Sequence, residues 1–177
     1  LLGALIISFF GFTQLEGVDL DQFITETQKS SSAADEMRIV WWIPVEFWDI
    51  TFQNDPSTSK EQADQIVDLL RPYTIFAIVD GAIGPFGGVT YESVDNIKNN
   101  ITLFDNEDDA YKPLDADDLN ADVQNLISAF KPILGNMMGQ LGENMHFFVF
   151  TDEKNKKERV ADPWAKGIVR LNLHNDE

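Results

Sequence analysis

Residues 37–43 (MRIVWWI) are rich in β-branched and aromatic side chains and are apolar on both alternating faces apart from Arg38. A strand of that kind has to be covered on both sides, so it is an inner strand of a sheet. Residues 73–79 (YTIFAIV) are a second strongly β-like run, and the Asp80-Gly81 dipeptide behind them is a favoured hairpin signal that predicts antiparallel pairing. Residues 89–91, 101–104, 145–150 and 167–173 read as further strands, with 92–100 expected to be a turn or an irregular edge.

Helical signals lie between these runs. Pro44 opens a short helix carrying Val45, Phe47, Trp48 and Phe52, which the turn chemistry of Asn54, Asp55 and Pro56 ends. Ser59 with Gln62 makes a capping box for a second helix whose face holds Ala63, Ile66, Val67 and Leu70. Leu119, Val123, Leu126, Ile127 and Phe130 form the clearest helical stripe, which Pro132 is expected to break or kink before a second piece ending at Gly139 or Gly142. The element order predicts an α+β fold. It has an antiparallel or mixed sheet of about five to six strands, with two to three helices packed mainly on one face.

Residues 1–12 (LLGALIISFFGF) are uncharged and apolar, too few for a spanning helix but the size of a signal-peptide core. Residues 1–13 are therefore expected to be a signal peptide or the remnant of a membrane anchor. Residues 14–36 turn polar and read as a linker, leaving 37–177 as a single globular domain. The expected location is exported: periplasmic, secreted or envelope-anchored, with membrane contact only through the N-terminal segment.

Composition narrows the chemistry. The 177 residues carry 30 acidic and 13 basic side chains, a formal charge of −17, which opposes binding to nucleic acid. The absence of cysteine excludes disulfides, thiolate metal sites, iron–sulfur clusters and cysteine nucleophiles. Glycines 81, 84, 87 and 88 match no phosphate-binding motif, so no nucleotide is implied and no cofactor is expected.

Three constellations remain. Glu143 and His146, with Glu46 and Asp80, supply the carboxylates and imidazole of a possible acid–base hydrolase. Asp105, Glu107 and Asp109 open a stretch with eight acids and one base up to Asp122 and are the candidate ligands of a calcium ion, although Ala110 stands where an EF-hand needs glycine. The third is residues 84–88 (GPFGG), where Pro85 stiffens one end, Gly84, Gly87 and Gly88 free the backbone, and Phe86 is presented at the tip. Trp41, Trp42 and Trp48 cluster near the first inner strand and could line a groove beside that loop. The basic cluster Lys154, Lys156, Lys157 and Arg159 reads as a solvated hairpin tip, and His174 as part of a polar tail. The sequence favours a binding module for a protein, peptide or envelope polymer. The alternatives are a carboxylate and histidine hydrolase and a calcium-stabilised structural domain.

Overall fold

A computed structural model of the protein describes residues 4–9, 19–53, 55–155, 158–165 and 167–173. Its elements in chain order are β1 (Ala4–Phe9), α1 (Leu20–Thr27), β2 (Gln28–Ser30), β3 (Ile39–Ile43), α2 (Val45–Gln53), α3 (Lys60–Leu70), β4 (Tyr73–Val79), β5 (Gly81–Ile83) and β6 (Val89–Tyr91). There follow α4 (Val94–Asn100), β7 (Thr102–Phe104), β8 (Ala110–Tyr111), a 3-10 turn (Ala116–Asp118), α5 (Ala121–Met138), α6 (Gln140–Glu143), β9 (His146–Thr151), β10 (Glu153–Asn155), β11 (Glu158–Arg159) and β12 (Gly167–Asn172).

The fold is α+β, and its strands are divided rather than gathered into the one sheet expected. An antiparallel sheet in the order β2-β3-β4-β9 lies at the centre, a second antiparallel sheet in the order β1-β12-β7-β8 covers one of its faces, and β5-β6 and β10-β11 are two-stranded ribbons. The division follows from side-chain periodicity. In β3 and β4 both faces are apolar: Val40, Trp42, Phe76 and Ile78 point to the outer sheet, while Ile43, Ile75, Ala77 and Val79 point to the helices. In β12, buried Val169 and Leu171 alternate with more exposed Arg170 and Asn172, which is the pattern of a sheet with one wet face. On that wet face Arg170 lies over the Phe104 ring at 4.5 Å and pairs with Asp108 at 3.0 Å.

Four helices cover the other side of the central sheet, with Phe23 of α1, Phe47, Trp48 and Ile50 of α2, Leu70 of α3 and Val123 of α5 in one apolar cluster. The Ser59–Gln62 capping box is formed as the sequence predicts. Asn120, not the acids at 115–118, caps α5, and Asp115 instead pairs with Lys98 at 2.6 Å. Helix α5 runs through Pro132 and stops at Gly139, whose φ of +59° suits glycine.

Several expectations are corrected. Residues 20–30 lie within the stretch read as a linker, yet they form α1, with Phe23 fully buried, and β2, which pairs with β3. The folded unit therefore reaches upstream of Met37. Ala4–Phe9, inside the run read as a leader, pairs with β12 along its whole length. Asp80-Gly81 is not a hairpin turn, because the chain passes through it from β4 into β5. Residues 94–100 are a helix capped by the Ser93 side chain, not an irregular edge. Lys156, Lys157 and His174 lie outside the described residues. Among the described residues no helix is long and apolar enough to cross a membrane.

Candidate functional site

Beyond β4 the chain leaves the central sheet as the ribbon β5-β6, pairing Gly81 with Tyr91, Ala82 with Thr90 and Ile83 with Val89. Its root is fixed by backbone bonds: Met37 N–H to Gly81 C=O at 2.9 Å, Ile83 N–H to Asp35 C=O at 2.9 Å and Glu92 N–H to Asp80 C=O at 2.8 Å. Only glycine fits at 81, where a Cβ would stand 2.8 Å from the Thr90 carbonyl oxygen. At the far end Gly87 N–H donates to Gly84 C=O at 2.9 Å, and Gly84 N–H donates to Gly88 C=O at 2.8 Å. Pro85 occupies the second turn position and Gly87 takes φ +82°, the arrangement of a three-residue hairpin loop closed by a left-handed residue. Phe86 sits at the apex with 100% of its surface exposed. The charged residues between 80 and 97 are Asp80, Glu92 and Asp95, with no base among them.

The tryptophans do not join this loop. Full exposure of Phe86 excludes contact with any indole, and the three indoles pack into the core instead of lining a groove. Trp42 has no exposed surface, stacks on Phe76 and donates its indole N–H to Thr74 Oγ1. Trp48 is 6% exposed and meets Phe130 edge-on at 4.8 Å, while Trp41 meets Phe47 edge-on at 5.2 Å. Among the described residues the buried indole nitrogens of Trp41 and Trp48 lack a hydrogen-bond partner, a cost of about 1–3 kcal/mol each that ring burial has to offset.

The acid–base candidates are separated. Glu46 follows β3 at the end where Ile43 faces Ile75, whereas Asp80 follows β4 at the opposite end, where Val79 faces Ile39. Each is held by an arginine. Arg38 Nε donates to Asp80 Oδ1 at 3.0 Å, and the Arg159 guanidinium clasps both Glu46 oxygens while its Nε donates to Asp152 Oδ2 at 2.6 Å. Asp152 is buried and also accepts the Ala161 N–H at 2.9 Å; burial pushes its carboxyl up to about 6 against the pull of Arg159, and Glu46 beside it adds repulsion. Arg159 is held more firmly protonated than usual, since two carboxylates share its one charge. His146 opens β9 opposite Ile78, and burial together with the Lys131 charge lowers its pKa. Glu143 is exposed on α6, where it faces α5. The geometry does not assemble these four residues into one centre.

The calcium candidates already share one internal counter-ion. Asp105 is buried between β7 and β8, with Oδ1 accepting the N–H groups of Glu107 (2.9 Å) and Asp109 (3.0 Å) and Oδ2 accepting the Tyr111 hydroxyl (3.2 Å). Lys154 Nζ lies 2.7 Å from Asp105, 2.6 Å from Glu107 and 3.2 Å from Asp109. An internal ammonium thus stands where a cation would. Burial acts to raise the Asp105 pKa, but Lys154 and the two backbone donors hold it below its ordinary value. Among the described residues no group of three or more acids or histidines is arranged to hold a metal ion.

Sequence spacing misses the roles of Lys154 and Arg159, because Asp105 and Glu46 lie 49 and 113 positions away from them, and only the Arg159–Asp152 pair is near in sequence. Comparison with known proteins gives no family model, curated protein or solved structure that matches the chain.

Proposed function

We propose that this domain is a binding module that holds a protein or peptide partner through the Phe86 hairpin. The observation that carries the reading is a fully exposed phenylalanine on a loop whose backbone is already fixed. An aromatic ring in water forgoes the roughly 1.5–3 kcal/mol that its burial would supply, and a loop ordered in advance loses little entropy on binding. Neither property aids folding, and both aid association. Residues 81–91 carry no charged side chain, so a partner that offers an apolar pocket is the best match.

The test compares Phe86→Ala with Thr90→Ala, an exposed control on the same ribbon, in native extracts of the source cells separated by size. The wild type and Thr90→Ala are expected in a complex larger than the protein's own monomer, and Phe86→Ala at the monomer position. A wild type that already runs as a monomer, or a Phe86→Ala variant that stays in the complex, would overturn the reading.

A further inference from the structure

We propose that the groove between α5 and α6 is a second binding site, independent of the hairpin, for a dipeptide with free amino and carboxyl termini. The groove holds about 520 Å³, within the usual range for small-ligand sites. Its α5 wall carries Ser128, Lys131, Pro132 and Gly135, spaced i, i+3, i+4 and i+7 so that they share one helix face, with Ile127 beside them. The other wall is Glu143 of α6, whose Cγ would be in ordinary van der Waals contact, at 3.6 Å, with a Cβ at position 135.

Three features of the groove point to a ligand with two opposite charges. Lys131 and Glu143 both line it, and among the described residues neither enters an ion pair with the other or with any third residue. Pro132 has no N–H, so the Ser128 carbonyl lacks its usual helical donor on the same face and is left as an acceptor. Ile127 and Pro132 supply apolar floor between the polar groups. An ammonium is suited to Glu143, a carboxylate to Lys131, and a peptide N–H to the Ser128 carbonyl.

Length and field choose among such ligands. The α5 wall of the groove, from Ser128 to Gly135, advances seven residues, about 10 Å along the helix axis. An extended dipeptide spans about 7 Å, whereas a single amino acid reaches only half as far. A simple anion is repelled by a chain of formal charge −17, and a simple amine leaves Lys131 without a counter-ion. A zwitterion incurs neither penalty.

The full chain, labelled with ¹⁵N, is titrated at neutral pH with Leu-Leu and with its N-acetylated, C-amidated and doubly blocked forms. Leu-Leu is expected to shift the amide signals of Ser128, Lys131, Gly135 and Glu143, and each blocked terminus to weaken binding by about tenfold. Lys131→Met should abolish the preference for a free carboxyl terminus and Glu143→Gln that for a free amino terminus, with Phe86→Ala unchanged from the wild type. Equal affinity for all four peptides, or no shift at these amides with Leu-Leu at about 10 mM, would overturn the proposal.

Discussion

Replacing Arg159 by methionine is expected to destabilise the protein by about 3–5 kcal/mol at pH 7, the usual cost of stripping the partner from buried charges. Glu46 is 8% exposed and Asp152 1%, so neither carboxylate can recover its hydration when the guanidinium is removed. The pH dependence distinguishes this cause from lost packing. Asp152 titrates at about 6 in the fold against 3.8 for the ordinary side chain. A carboxyl raised in the folded state binds its proton more tightly there, so its contribution to stability grows as pH falls from 7 through 6 and is complete below about 4. The difference corresponds to about 3 kcal/mol. Relative to Asp152→Asn, which cannot titrate, the wild type should therefore gain stability over that interval. In the Arg159→Met variant Asp152 loses its counter-ion and takes up its proton more readily, so the deficit should shrink between pH 7 and pH 5. Urea unfolding at several pH values measures all three proteins without adding salt. A deficit below about 1 kcal/mol at pH 7, or one that grows in acid, would refute the electrostatic account of this cluster.

Three further outcomes are expected. A chain starting at Met37 lacks α1 and β2, and removing fully buried Phe23 alone costs about 3–5 kcal/mol, so it should melt well below the full chain or fail to melt cooperatively. Lys154→Met should lower the melting temperature because buried Asp105 loses its counter-ion, while a chelator leaves the wild-type transition where it was; a chelator-induced drop would mean that a metal shares the acidic loop. Intact-mass measurement of the native protein should find residues 4–9 retained, since they pair with β12, whereas a mature chain beginning near residue 13 would support a cleaved leader.

Local signals in the sequence proved legible where one element's own spacing decided the outcome. The double-faced apolar pattern of 37–43 placed β3 inside a sheet, the Ser59–Gln62 box started α3, and the Val123–Phe130 stripe marked the buried face of α5. Helix α1 carried a readable signal that polar composition obscured: Asp19 caps it, and Leu20, Phe23, Ile24 and Thr27 follow at i, i+3, i+4 and i+7. The split into two sheets was not legible, because which strand stacks on which is decided by contacts distant in sequence. The same holds for Lys154 and Arg159. A charged loop looks solvated until the chain brings Asp105 and Glu46 to it. Phe86 stands between these cases, since proline and glycine fixed its loop, while only the fold determined that the ring turns outward.

The binding role of the hairpin is tested most directly by a photo-crosslinking phenylalanine analogue placed at position 86 in the native cell, with the same analogue at exposed position 90 as the control. A ring that anchors an interface should yield one discrete adduct at 86 and little at 90, and the substituted protein should keep the wild-type melting temperature because a fully exposed ring contributes almost nothing to folding. The account predicts that pair of results. Equal or absent crosslinking at the two positions, or a melting temperature lowered by the change at 86, would contradict it.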